Sequence, residues 1–467
     1  MSTTQGFFDT AEYDHWEGGS YNWFHVELNL FQSTRADLLR DKENAGSFPT
    51  LIHEYTHFLQ SFTTAYGFTT LFTYISCVNQ FRMENMRLLY NPSIPLKGGK
   101  ADKRMKNKNL KNIFLYPYTG VKRNRQDRTK ILYDRSNESE FHLKQDKVFV
   151  PYRNKTVVMA NITVEGFEIK VSEFVIRESM AYMSNFLATS LTSAERHELF
   201  LENDSYSLEY RGLYLFLKHF LPEKDCFQLI YTFCEMALNL PSYTEHMNTM
   251  LSYIVSNSRY LNQQSESDII QETSTHIRYT TLFPISIQSC LNQLNDLQEM
   301  YRRHPNDGFL QISDRILNNL ALGLQLRMQN QTFYAHRMNM AYLNQITSVL
   351  ASPIVKFRDG DRTILGNSTD EFVDDLALFS GILRGIQYMY NNESKSCPFA
   401  TAPSLCNLEK TDTCRTNYRK INAFENYQGC IMSNAMKVTG VQKSDRLKAW
   451  FIWKKDLLKQ KISGKRE

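Results

Sequence analysis

Residues 45–62 read AGSFPTLIHEYTHFLQSF, and this stretch decides how the first part of the chain folds. Its apolar side chains recur every three or four positions, which predicts a helix with one buried face. Ser47 stands where a helix N-cap is expected, and Pro49 suits the first helical turn. The residues expected on the buried face are Leu51, Tyr55, Phe58, Leu59 and Phe62. The stretch therefore predicts a buried helix, preceded by a strand at residues 22–31, NWFHVELNLF.

The same helix carries His53, Glu54 and His57 in an HExxH sequence. A spacing of four places both imidazoles on one helix face, within reach of a single metal ion, and zinc is the natural occupant. Glu54 is rotated by about 100° from His53 around the helix axis, so its carboxylate can hold a water without becoming a ligand. The alternative is that two histidines and a glutamate share a helix without binding a metal. Because the helix is expected to be buried and to follow a strand, we favour the zinc site.

A catalytic zinc needs a third protein ligand and keeps one position for water. After His57 the sequence reads FLQSFTTAYG, so the HxxGxxH continuation of metzincins is missing and the third ligand must come from elsewhere. The candidates are Glu84, Glu173 and Glu178. We favour Glu178, because small Ser179 and Ala181 follow it and let its helix approach the first one closely. For each candidate the alternative is an ordinary solvated or ion-paired glutamate.

HEYTHFLQSFTTAYG, followed by an ExxA helix at residues 178–181, resembles the gluzincin type of zinc metallopeptidase. The resemblance covers these two short segments. It implies a zincin-like core, with His53, His57 and Glu178 as zinc ligands and Glu54 as general base. Position 182 holds a tyrosine where the family often has an acid that supports a nearby histidine. The resemblance therefore does not say which residues hydrogen-bond to the ring nitrogens of His53 and His57 that face away from the metal.

The resemblance also implies metal-assisted hydrolysis of a peptide bond. Zinc lowers the pKa of its bound water to about 7, and Glu54 takes the proton as the water attacks the amide carbon. Glu54 then protonates the leaving amine. An additional hydrogen-bond donor to the oxyanion is expected, and Tyr182, one turn beyond Glu178, is a candidate. The alternative is that Tyr182 is a buried aromatic residue of the helix, which is the commoner role.

Composition and hydropathy patterning predict an α+β fold that is mostly α. With 467 residues, 42% hydrophobic and 22% charged, the chain can bury a large core, which excludes a disordered protein. Four segments are expected along it. They are an N-terminal part with strands and the HExxH helix (1–90), a basic, β-rich insertion (91–170), a helical subdomain with the third zinc ligand (171–350), and a C-terminal cysteine-containing region (351–467).

The positive charge is concentrated in residues 97–130. This segment holds 12 Lys and Arg against two Asp, a local charge of +10 in a chain whose net charge is +5. Such a run could follow a nucleic-acid backbone or bind an acidic protein. It also contains glycines and several asparagines, and most charge runs are solvated loops, so we favour the loop.

Four of the eight cysteines, Cys397, Cys406, Cys414 and Cys430, fall late in the chain. They lack the paired CxxC spacing of structural zinc sites, so a second metal and disulfides are alternatives to free thiols, which we favour. The N-terminus has no signal-peptide pattern, and the longest uncharged stretch, residues 55–81, is too polar to span a bilayer. We therefore expect a cytoplasmic protein without a transmembrane segment.

These features lead to one favoured function and two alternatives. The favoured function is a zinc-dependent metallopeptidase that acts on a protein or peptide substrate, with Zn²⁺ as cofactor. One alternative is a catalytically inactive, zinc-stabilised module that binds proteins. The other is a nucleic-acid-binding regulator that acts through residues 97–130. The intact Glu54 favours the peptidase, since a structural zinc site needs no such group while water activation does.

Overall fold

A computed structural model describes the larger part of the chain. The described residues are 19–22, 27–30, 47–90, 141–150, 155–165, 167–202, 208–304, 307–329, 345–351, 353–359, 362–364, 372, 375, 378–379, 382 and 430–440. The helices are α1 (Ser47–Thr63), α2 (Ala65–Tyr90), α3 (Glu173–Leu187), α4 (Ser193–Glu202), α5 (Leu208–Phe220), α6 (Cys226–Leu238), α7 (Tyr243–Leu261), α8 (Glu266–His276), α9 (Tyr279–Arg302), α10 (Gly308–Gln329) and α11 (Ile431–Val438). The strands are β1 (Gly19–Asn22), β2 (Glu27–Leu30), β3 (His142–Val150), β4 (Lys155–Val164), β5 (Phe167–Lys170), β6 (Ile354–Phe357) and β7 (Arg362–Ile364).

The chain divides into two compact units, each assembled from segments that are distant in sequence. The first unit combines Met1–Thr70, Tyr118–Asp296 and Asn318–Ser368. The second combines Leu71–Pro117, Leu297–Leu317 and Thr369–Glu467. The four-segment division expected from the sequence stays a prediction.

The strands form two small sheets. In the first sheet the order is β1-β2-β6-β7, with β2 and β6 parallel and the other pairs antiparallel. β1 and β2 pack against α1. The second sheet is antiparallel, in the order β3-β4-β5, and β4 packs against α5 and α7. The helix α5 also lies close to β5, since a Cβ on Gly212 of α5 would be 2.3 Å from Cδ1 of Ile169 in β5.

The helix α1 is buried on all sides, since every residue from Leu51 to Thr63 is buried. Its face of five large apolar residues is fully inaccessible to solvent, as the sequence predicted. The polar residues on its other side face α3, against which α1 packs closely. Burial of this polar side is the first indication that it serves a purpose other than solvation.

The C-terminal end of α1 is held by α10 and α6. A Cβ on Gly323 would lie 2.0 Å from the carbonyl oxygen of Phe62, so only glycine allows this approach. One turn later, Arg327 donates from Nε to the carbonyl oxygen of Thr63 (3.2 Å) and from Nη2 to the Thr63 hydroxyl (2.8 Å). Its Nη1 also binds the carboxylate of Glu235 on α6. Arg327 thereby caps a carbonyl that the end of a helix leaves unsatisfied.

The fold expected from the sequence is confirmed at the level of its class, since the described chain is mostly helical with a small antiparallel sheet. The sequence at residues 354–365 predicts a short strand pair, and β6 and β7 form it. No helix in the described part of the chain is both long enough and apolar enough to cross a bilayer. The basic segment 97–130 and most of the late cysteines lie outside the described residues, although Cys430 is described and buried. The sequence near residue 370 predicts a last helix, and the described residues there, 372, 375, 378, 379 and 382, are helical.

The ion pair between Arg327 and Glu235 gives a stability prediction. Both side chains are completely buried, so Arg327→Met leaves a buried carboxylate without its cation and is expected to cost about 3–5 kcal/mol of unfolding free energy. The double variant Arg327→Met, Glu235→Leu should be more stable than Arg327→Met alone, because no charge is left behind. Urea unfolding followed by circular dichroism measures both. The control is Arg303→Ala, which breaks the exposed Arg303–Glu299 pair and should cost about 0.5 kcal/mol of unfolding free energy or less. If Arg327→Met and Arg303→Ala lost the same unfolding free energy, the prediction would be contradicted.

Candidate metal centre

His53, His57 and Glu178 come together where α1 packs against α3. One potential ligand atom from each of the three side chains lies within 4.8 Å of the other two. Glu178 Oε2 is 3.2 Å from His57 Nε2 and 3.9 Å from His53 Nε2. Tetrahedral zinc with bonds of 2.0–2.2 Å holds its nitrogen and oxygen ligands about 3.4 Å apart, and the two observed distances bracket that value. The donor set and its spacing therefore fit a zinc ion.

Short side chains and polar contacts let α3 approach α1. Ala181, one turn after Glu178, is fully buried, whereas the buried Ser179 donates from its hydroxyl to the carbonyl oxygen of Glu209 on α5 (3.4 Å). Thr56 Oγ1 donates to Ser184 Oγ across the interface (3.1 Å), and Ser172 caps the N-terminus of α3 by accepting from the backbone of Val175. Both helices thus have fixed positions at the point where the carboxylate meets the imidazoles.

The electrostatics of the site favour the protonation states that bind a metal. Burial, followed by repulsion from His57, lowers the pKa of His53 to about 3, although Glu178 and the amide of Asn185 oppose this. Burial raises the pKa of Glu178, but attraction and a hydrogen bond from His57, together with attraction to Arg177 and His53, outweigh it and lower the pKa to about 2. His53 is therefore neutral and Glu178 ionised at neutral pH, as metal coordination requires.

Of the other two candidate glutamates, Glu173 is described with a different partner and Glu84 is not described at its side chain. Glu173 is also on α3 and buried, but its Oε2 accepts a hydrogen bond of 2.5 Å from the hydroxyl of Tyr243. Glu84 belongs to α2, and its side chain is outside the described residues. The helix positions thus bring Glu178, the glutamate favoured from the sequence, to the two histidines.

Glu54 and Tyr182, the residues expected to take part in the chemistry, are both buried. Glu54 follows His53 on α1 and is 4% exposed. The ring of Tyr182 packs among Phe186, Phe200 and Tyr210, with centroid distances of 5.2, 6.0 and 5.9 Å. Both catalytic roles stay predictions.

Sequence reasoning missed three residues around the site. Gln60, fully buried on α1, holds the amide oxygen 3.0 Å from His57 Nδ1. Asn185 approaches His53 from α3. Tyr210, half-buried on α5, places its ring 6.5 Å from the ring of His53. No local pattern distinguishes these residues from ordinary helix residues, because only the packing of α1, α3 and α5 brings them to the site.

Comparisons with known proteins add no relative to this geometry. A scan against protein-family models, a search of curated proteins and a search of solved structures each found no match. The similarity to gluzincins therefore remains a resemblance on two short segments, and the functional argument depends on the side chains themselves.

The geometry predicts which variants lose the metal. The purified chain is expected to bind about one zinc, or about two if the late cysteines also form a site. His53→Ala, His57→Ala and Glu178→Gln should each remove one equivalent, measured by elemental analysis after gel filtration. Glu173→Gln is the matched control, because it removes a buried carboxylate from the same helix. If the Glu178→Gln protein kept its full zinc content, the third ligand would have to be another residue.

Proposed function

We propose that the chain is a zinc-dependent metallopeptidase with a zincin-like core, and that it acts in the cytoplasm. The observation that carries the proposal is the convergence of His53, His57 and Glu178 on one point, with Glu54 next to His53 on the same buried helix. Two imidazoles and one carboxylate match the ligand set of catalytic rather than structural zinc sites, which prefer four protein ligands and thiolates.

His53, His57 and Glu178 would hold the zinc. When bound, zinc acts as a Lewis acid that lowers the pKa of a coordinated water to about 7 and stabilises negative charge on a carbonyl oxygen. The three residues enter from two helices that are fixed against each other by polar contacts, so little rearrangement is needed to form the site. A rigid supporting shell of this kind is typical of sites that perform chemistry.

Glu54 supplies the proton transfers. Its carboxylate accepts a proton from the water that attacks the peptide carbonyl, and it returns that proton to the nitrogen of the leaving amine. Because Glu54 is almost completely buried, its charge acts in a medium of low dielectric constant, where it is more effective than in water. Its position one residue after His53 turns it away from the ligand face of α1.

A peptide substrate suits the sheet beside the site. β1 and β7 are the two outer strands among the described strands of this sheet, and β1 packs against α1. An outer strand offers backbone N–H and C=O groups with which an extended peptide can pair. Because β1 contacts the helix that bears His53 and His57, a peptide added along this strand would run close to the ligand residues.

The two alternative functions have less support. A zinc-stabilised binding module would not need the buried carboxylate of Glu54 beside the ligands. A nucleic-acid-binding regulator depends on residues 97–130, which lie outside the described residues. Neither alternative is favoured by a specific contact among the described residues.

Glu54→Gln tests the proposal by separating metal binding from catalysis. Glutamine is nearly isosteric with glutamate, so the helix and the zinc should be retained, while the proton acceptor is lost. Cleavage is therefore expected to fall by about 10²–10⁴-fold or more. The measurement compares fragments from a cell lysate treated with wild-type and mutant protein, with zinc content determined in both. Identical fragment patterns, with zinc present in both proteins, would show that the chain is not a peptidase and would favour the binding module.

Two tyrosines can be tested as donors to the oxyanion. Tyr182 was chosen from the sequence, and Tyr210 is the half-buried phenol whose ring lies beside His53. Loss of an oxyanion donor typically lowers kcat by about 10²–10³-fold with little change in KM. We expect Tyr210→Phe to show this loss, and Tyr182→Phe, whose ring packs among aromatic residues, to keep kcat within about fivefold of wild type. The reverse result would assign the donor to Tyr182.

A further inference from the structure

Gln60 lies one turn after His57 on α1, and its side chain is fully buried. Its amide oxygen is 3.0 Å from His57 Nδ1. Its amide nitrogen donates to the backbone carbonyl of Arg177 on α3 (3.0 Å), and its oxygen also accepts from Arg177 Nε (3.3 Å). The amide of Gln60 thus links two residues of the site. One is His57, a candidate metal ligand, and the other is Arg177, which directly precedes the candidate ligand Glu178.

The orientation of this amide follows from its neighbours. The carbonyl oxygen of Arg177 can only accept a hydrogen bond, so the NH₂ end of Gln60 must face it. The guanidinium of Arg177 can only donate, so the oxygen end must face Nε. The carbonyl and the guanidinium of Arg177 therefore require the same orientation of the Gln60 amide. In this orientation Gln60 Oε1, which can only accept, lies against His57 Nδ1.

The consequence for His57 is a fixed arrangement of its ring nitrogens. Because Gln60 Oε1 accepts, Nδ1 carries a hydrogen, and the other nitrogen, Nε2, faces Glu178 Oε2 at 3.2 Å. A neutral imidazole then presents a lone pair to a carboxylate oxygen, and two acceptors at this distance need a cation or a second proton between them. A zinc ion held by His57 and Glu178 would provide that cation.

We propose that Gln60 is the positioning residue of the metal centre, in which its amide oxygen, oriented by Arg177, makes His57 a ligand through Nε2. The inference rests on the proposed zinc site. In many metal sites a carboxylate or a backbone carbonyl has this role, and the side chain that has it here is a glutamine on the same helix as its histidine. Arg177 acts through Gln60, and its guanidinium also lies over the ring of Tyr66, 5.5 Å from the centroid.

Two substitutions separate this role from a purely structural one. Gln60→Glu keeps an acceptor for His57 Nδ1 and removes the donor to the Arg177 carbonyl. Gln60→Met removes both and keeps a side chain of similar length that packs in a buried site. Ser61→Ala is the matched control, because Ser61 is the buried neighbour on α1 and its hydroxyl donates to the carbonyl of His57 within the helix. All three are made in the full chain.

The experiment measures the zinc dissociation constant by competition with a chromophoric chelator, and thermal unfolding of the zinc-free proteins. Gln60→Met is expected to weaken zinc binding by about 10–100-fold, whereas Gln60→Glu and Ser61→Ala should stay within about threefold of wild type. Both Gln60 variants should unfold at a lower temperature than wild type, because both lose the hydrogen bond to the Arg177 carbonyl on α3. Thermal stability would then fall in both Gln60→Met and Gln60→Glu, whereas zinc affinity would fall in Gln60→Met alone. If Gln60 had only a structural role, zinc affinity would follow thermal stability in both variants.

The outcomes that overturn the inference differ from those that overturn the peptidase. Wild-type zinc affinity in a folded Gln60→Met, or a loss in Gln60→Glu as large as in Gln60→Met, would show that Gln60 does not position His57. If Gln60→Met fails to fold, Gln60→Glu decides, and a loss of more than about tenfold there overturns the inference. A wild-type chain that binds no zinc overturns both proposals. A wild-type chain that binds zinc and cleaves no peptide overturns the peptidase alone, since the comparison of zinc affinities still stands.

Discussion

The close packing of α1 against α3 is the constraint on which the site depends. The two helices are separated by more than a hundred residues in sequence, and each supplies a part of the ligand set that is incomplete alone. The small buried side chain of Ala181 accompanies the approach, and the Thr56–Ser184 and Gln60–Arg177 hydrogen bonds fix the helices in register. Because buried interfaces are as dense as crystals, such a register leaves little room for the ligand distances to vary.

The same helix is fixed again at its C-terminal end. Arg327 binds the last carbonyl of α1 and reaches the buried carboxylate of Glu235, and Gly323 allows α10 to touch the backbone of Phe62. A buried ion pair of this kind adds little net stability, yet it costs a great deal to break, so it favours one arrangement of the helices over others. The helix that bears His53 and His57 is therefore positioned both along the face that packs on α3 and at its C-terminal end.

The sequence predicted those parts of the molecule that depend on local patterns. The periodic apolar face and the HExxH spacing lie on one helix, and the small residues after Glu178 indicated its helix as the partner. Gly67 predicts the end or a kink of the first helix, but that helix ends earlier, at Thr63. Gly67 belongs instead to α2, where a Cβ would meet the Ser61 carbonyl oxygen at 2.1 Å, so the glycine allows the close turn between the two helices. Gln60, Asn185 and Tyr210 have no local signature, because their roles arise only from contacts between helices.

The charge balance of the buried site is one that a bound cation would complete. Glu178 is ionised although it is buried, and burial by itself opposes that state. Arg177 is the nearest permanent cation named by these contacts, but its Nε binds Gln60 and its guanidinium lies over Tyr66. The carboxylate instead faces two imidazoles, one of which is held neutral by burial. A divalent cation between the three side chains would balance the carboxylate and satisfy the lone pairs of both imidazoles, and Glu54, the one acid of α1, would keep the proton-transfer role proposed for it.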